Sequence, residues 1–124
     1  MATLIDQDFF ARLAALNEKF AAGVPDTLAR LKHQRHVFDP GAPNPAVLDE
    51  IHDILHTIAG SAATFGFRAF GQQARQLEQA LRVLKVFDQA DQRDWKPWLA
   101  AFDEFIAWAE KDARAAHYRD AAQS

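Results

Sequence analysis

Apolar residues recur at spacings of three and four along most of the chain, and no segment alternates strictly between apolar and polar positions. The first stripe is Phe9, Leu13, Leu16 and Phe20, preceded by Asp6 and Asp8, acidic residues suited to a helix start. Gly23-Val24-Pro25-Asp26 interrupts it, and Leu28 and Leu31 continue an apolar face to about His36. Proline is tolerated in the first turn of a helix but kinks or breaks an interior. Residues 6–36 therefore read either as two helices, 6–22 and 25–36, or as one helix bent near Gly23. The segment from Phe38 to Pro45 holds three prolines and a glycine and reads as a loop. Asn44 can cap a helix over 45–65 with Pro45 at its first position, and Gly66 can supply the left-handed residue that ends it. A third helix is expected over 67–87, with Phe70, Ala74, Leu77, Leu81 and Leu84 on one face. A fourth is expected over 94–114, capped by Asp91 or Asp94, with Pro97 near its start. Trp95, Trp98, Phe102, Phe105, Ile106 and Trp108 lie along it. The tail after Arg114 is small and polar and is expected to fray.

These segments and their mostly short connections predict an all-α, antiparallel four-helix bundle with an additional or kinked N-terminal helix, residues 1–124 forming a single domain. At 124 residues and 49% hydrophobic content, the chain can bury a sizeable core without a metal or a disulfide. The aromatic residues, ten of them phenylalanine, read as core filling. The absence of cysteine removes thiolate zinc sites and cysteine nucleophiles. A formal charge of −3, with charges interspersed, argues against nucleic-acid binding. The basic run Arg30-Leu31-Lys32-His33-Gln34-Arg35-His36 fits the end of a helix, where cations meet the helix dipole favourably. The N-terminus has no basic region followed by an apolar run, and no apolar stretch approaches the ~20 residues of a membrane span. A cytoplasmic monomer that does not associate with membranes is the expectation.

The apolar positions Val47, Leu48, Ile51, Leu55, Ile58, Ala62 and Phe65 form one stripe on the second helix. His56 lies roughly 140° from the centre of that stripe at about 100° per residue, and therefore faces outward. Asp49, His52, Gly60 and Ala63 run along the same outer face. A glycine inside a helix costs about 1 kcal/mol relative to alanine. Close approach by another backbone or by a phosphoryl group would account for Gly60 one turn after His56. On the third helix Gly71, Arg75, Glu78, Arg82 and Lys85 form a polar flank that an antiparallel hairpin around Gly66 can lay beside His56. A carboxylate there, Glu78 by preference, would accept the imidazole Nδ1–H, fix the tautomer and leave Nε2 as nucleophile.

The run His56-Thr57-Ile58-Ala59-Gly60-Ser61-Ala62-Ala63-Thr64-Phe65-Gly66 resembles the signature of histidine-containing phosphotransfer (HPt) domains, the helical carriers of two-component phosphorelays. The spacing of Glu78 from His56 is similar to that of a glutamate partner in chemotaxis-kinase phosphotransfer domains. One position departs from the pattern: Ala59 stands where the family usually has a lysine that helps hold the phosphoryl oxygens. Arg75, Arg82 or Lys85 could compensate, since guanidinium and ammonium groups both bind phosphate. The resemblance implies a phosphoprotein that carries a phosphoryl group on His56 between receiver-domain aspartates, or from a histidine-kinase pathway. It implies response-regulator receivers, and a hybrid histidine kinase, as partners, and no cofactor of its own because Mg²⁺ belongs to the receiver. With no glycine-rich phosphate loop, the chain reads as a transfer intermediate rather than a stand-alone kinase. Docking is expected to use His52, Gly60, Ser61, Ala63, Thr64 and the first helix around His56.

Two other readings share parts of this pattern. A non-catalytic helical adaptor would have the same fold and no phosphate on His56. His52-Asp53-Ile54-Leu55-His56 resembles the zinc-protease helix motif with aspartate in place of glutamate, its two histidines at i and i+4 able to share a metal. A third ligand is missing from that motif, His117 lying far along the tail.

Overall fold

Four helices follow in chain order through the computed structural model, which describes residues 2–86 and 91–118. They are α1 (Ala2–Val37), α2 (Pro45–Ser61), α3 (Arg68–Val86) and α4 (Gln92–Asp112), and no strand forms among the described residues. Phe87, expected to close the third helix, and positions 119–124 of the tail lie outside the described residues. Cross-helix pairs define the topology. Arg30 meets Glu50 at 2.5 Å, Lys32 meets Glu110 at 3.0 Å and Arg114 meets Glu18 at 2.8 Å, so α1 runs antiparallel to both α2 and α4. The Trp98 indole N–H donates to the Leu77 carbonyl at 3.0 Å, and Phe70 stacks on Phe105 at 5.3 Å, which sets α3 antiparallel to α4. The result is an up-down-up-down bundle. Its core includes Leu31, Ile51, Leu55, Phe70, Leu81, Trp95, Phe102 and Phe105.

The N-terminal segments are one helix rather than two, and it begins at Ala2 rather than near Asp6. Pro25 lies inside it. Leu28 and Leu31 after Pro25, and Val24 with half-buried Phe20 and Ala21 before it, all pack on the core. Burial on both sides of the proline holds the backbone helical where local propensity would interrupt it. Thr27 Oγ1 donates to the Gly23 carbonyl at 3.1 Å in the same turn. A second correction concerns the first half of this helix: Phe9, Phe10 and Leu16 are exposed and do not fill the core.

The basic run at the end of α1 is spent on neighbouring helices. Besides the pairs made by Arg30 and Lys32, Arg35 grips Asp103 with Nε and Nη2 at 2.8 and 3.3 Å. α4 starts at Gln92, earlier than the expected 94. Asp91 is its cap, and the Asp94 side chain accepts from the Asp91 N–H to complete a capping box.

The hairpin of α2 and α3 positions the outer face of α2. Asn44 Oδ1 accepts from the Ala46 N–H at 2.8 Å, and Pro45 occupies the first turn. The α-helix stops at Ser61, short of the expected Phe65, and tightens into a 3₁₀ turn over Ala62–Phe65. The Gly66 and Phe67 N–H groups then satisfy the Ala63 and Ala62 carbonyls at 3.3 and 2.9 Å. Gly66 adopts φ 89°, the left-handed conformation that reverses the chain into α3.

Candidate functional site

Leu55 and Ile58 are buried and seat α2 against the core, which turns His56 outward between them. The imidazole is 65% exposed, and its Nδ1 lies 2.9 Å from Glu78 Oε1. Glu78 is the one charged side chain buried among the described residues, only 5% exposed. An ionised carboxylate can only accept, so Nδ1 carries the proton and donates, and Nε2 on the far edge of the ring holds a lone pair.

Burial works against the charge on Glu78. The hydrogen bond from His56 and the electrostatic pull of His56, Arg82 and His52 outweigh it and hold the carboxyl below the usual glutamate range. Three nitrogens converge on one carboxylate oxygen; His56 Nδ1 donates to it at 2.9 Å, while His52 Nε2 beside it accepts from Arg82 Nε at 3.4 Å. His52 Nε2 is 3.3 Å from Glu78 Oε1 and Arg82 Nη2 is 3.2 Å from it. His52 and His56 lie ring over ring, 5.9 Å between centroids and 13° from parallel. Such an anchored carboxylate cannot follow solvent, and it fixes both the tautomer and the orientation of the outer imidazole.

The remaining expected residues divide into two groups. Arg82 and Lys85 are committed to acidic partners: Arg82 to Glu78, and Lys85 Nζ to Asp49 Oδ1 at 2.8 Å. The Lys85 hydrogen bond and charge pull the Asp49 carboxyl below its ordinary range. Arg75 Nη2 instead donates to the Ala59 carbonyl at 3.3 Å. Gly60, Ala63 and Thr64 are exposed, while Ser61 is half-buried with its hydroxyl donating to the Thr57 carbonyl at 2.8 Å. A Cβ at Gly60 would meet nothing within 4 Å, so this chain leaves open the space beside His56.

The structure differs from the expected polar flank at two positions. Gly71 and Glu78 are both buried rather than solvated. A Cβ on Gly71 would come 3.2 Å from the Ala62 Cβ and 3.5 Å from the Ala63 backbone nitrogen. Glycine here, with Ala74 one turn on, lets α3 approach α2 closely enough to enclose Glu78. Gly71 beside the α3 apolar stripe and Ala74 within it were the available signal. His52 also does more than shape a surface, since it touches the same carboxylate as His56. The metal reading finds no group of three His, Cys, Asp or Glu side chains arranged to hold an ion among the described residues.

This geometry, an exposed imidazole on one bundle helix backed by a carboxylate from the next, is joined by a family match: the Hpt domain model covers residues 11–112. The chain belongs to the Hpt family. No curated protein and no solved structure gave a match. Hpt domains are helical bundles that act in histidine phosphotransfer within phosphorelays and interact with receiver domains and kinases. No helix among the described residues is long and apolar enough to cross a membrane.

Proposed function

We propose that His56 is the phosphoryl-accepting residue of this Hpt domain and carries the group between receiver-domain aspartates, or from a histidine-kinase pathway to a receiver. One observation supports this most: the exposed ring is held through Nδ1 by a buried carboxylate. The Nε2 lone pair attacks the phosphorus of a receiver's aspartyl phosphate. The N–P bond forms as the acyl-oxygen–phosphorus bond breaks, and the aspartate leaves as a carboxylate with the electron pair. The Nδ1 proton stays on the ring, which becomes a phosphorylated imidazolium, and Glu78 lies against the positive charge that develops. Return of the phosphoryl group to another receiver's aspartate is the reverse of this step.

Mg²⁺ is supplied by the receiver in this reading, and the chain acts as a cytoplasmic monomer with no cofactor of its own. The exposed ridge around His56, with Gly60, Ala63, Thr64 and half-buried His52, gives the receiver room to bring its aspartyl phosphate in line with Nε2. The test is incubation with phosphorylated receiver domains, followed by assay for acid-labile, base-stable phosphate. Wild-type protein is expected to label and His56→Gln to lose all labelling while still unfolding cooperatively as a folded bundle. Retained labelling of the variant excludes His56 as the acceptor. Failure of wild-type protein to label with any receiver of a broad panel favours a docking adaptor without phosphate chemistry.

A further inference from the structure

Resting on that reading, we infer that Arg75 is the residue that grips the phosphoryl oxygens once His56 is loaded. A phosphoryl group on Nε2 brings about two negative charges to the outer face of α2, and a cation nearby must meet them. The polar flank of α3 offers three. Arg82 is already held by the buried Glu78 carboxylate, and Lys85 by Asp49. Turning either toward a phosphate would break an ion pair, and freeing Arg82 would strip a buried charge of one of its partners. Arg75 has no acidic partner among the described residues.

Its placement fits the task. Arg75 sits one turn from Glu78 along α3, and Glu78 touches the His56 ring. Its guanidinium already reaches across to α2, where it caps the carbonyl of Ala59 three residues after His56. Position 59 carries only a methyl group, so no side chain there competes for the space in front of the guanidinium. The single contact to a neutral carbonyl is weak at 3.3 Å and part of an exposed surface. Exchanging it for a doubly charged phosphoryl group, which a guanidinium can meet with two parallel N–H donors, is favourable. The chain thus carries its phosphate cation on the helix opposite the histidine, and Arg75→Lys, a point charge without the fork, replaces it only in part.

Phosphoramidate serves as the probe, because it loads the histidine without a partner protein. Nε2 attacks phosphorus, the donor's P–N bond breaks and ammonia leaves. We expect Arg75→Gln to lower the labelling rate about tenfold, the loss of one charge-assisted hydrogen bond. Arg75→Lys should recover part of that rate, and Lys85→Gln should lower it less than Arg75→Gln does. The Arg75 Nε–H resonance should shift on loading, a change that a merely structural arginine would not show. Equal rates for Arg75→Gln and wild type, equal losses in Arg75→Gln and Lys85→Gln, or an Arg75 resonance unmoved by loading would each overturn the assignment. Those failures are separate from failure of the site itself, which would show as undiminished labelling of His56→Gln.

Discussion

The α2–α3 hairpin and the first half of α1 carry the same kind of apolar stripe, yet the bundle closes over only one of them. Ile51, Leu55, Ile58, Phe70, Ala74 and Leu81 vanish into the core, while Phe9, Phe10 and Leu16 remain in solvent. The difference is one of partners. Each stripe of the hairpin faces another helix of matching length, whereas α1, at 36 residues, outruns α2 at 17 and α3 at 19. Periodicity tells which face of a helix is apolar. It does not tell whether anything lies opposite.

The sharpest way to break that comparison is to truncate one aromatic in each region. Phe70→Ala should cost about 3–5 kcal/mol, because the fully buried ring leaves a cavity against Phe105. Phe10→Ala, at a ring 62% exposed, should change stability by less than about 0.5 kcal/mol. Urea unfolding of both variants measures the contrast. A loss above about 1 kcal/mol for Phe10→Ala would mean that the overhanging helix is covered in solution.

Two glycines sharpen the same contrast inside the hairpin. Gly71 is enclosed by α2 and the 3₁₀ turn, while Gly60 faces open space. Gly71→Leu should destabilise the fold by about 1–3 kcal/mol through overpacking. Gly60→Ala should stabilise it by up to about 1 kcal/mol, since nothing obstructs the methyl group and helix propensity improves. The open space at position 60 also leaves Gly60→Leu free of a clash at its first carbon, so a loss confined to receiver-dependent transfer would come from outside the chain. Gly60→Leu should accept phosphate from phosphoramidate at the wild-type rate and from a receiver at less than about a tenth of it. Equal rates from both donors would remove the close-approach argument for Gly60.

Much of the hairpin could be read in advance, and the reasons are local. Asn44 and Pro45 mark the start of α2, Gly66 marks the reversal, and the helical angle between Leu55 and His56 is enough to turn the imidazole outward. Glu78 could be chosen as a neighbour of His56 from the hairpin register. Its burial could not, because wheel position placed it on a polar flank and enclosure depended on how closely two backbones approach at Gly71 and Ala62. The contact of His52 with the same oxygen is hidden for the same reason. In α1, Pro25 is a strong local signal that packing on both sides overrides, and helix propensity alone could not anticipate it. The fates of Arg75, Arg82 and Lys85 also diverge for a cause outside their own helix, namely which acidic residues α2 happens to present.

The smallest expected effect compares a carboxylate from each region. Asp8 pairs with Arg12 on the overhanging part of α1, both side chains largely in water, and Asp8→Asn should shift stability by only a few tenths of a kcal/mol. Glu78→Gln keeps the shape and one acceptor but loses the charge that His56, His52 and Arg82 surround, for a cost of about 1 kcal/mol near neutral pH. The pH dependence carries a sign. Folding holds the Glu78 carboxyl below its ordinary range, so the unfolded chain binds the proton more readily. The advantage of wild type over Glu78→Gln is therefore complete above the ordinary glutamate range and shrinks as pH falls through the lower folded value. Paired urea titrations across the acid range would measure it. An advantage that instead grew on acidification would mean that Glu78 is held protonated in the fold. The neutral acid would then share its proton with the ring instead of accepting one, and the tautomer that frees Nε2 would lose its support.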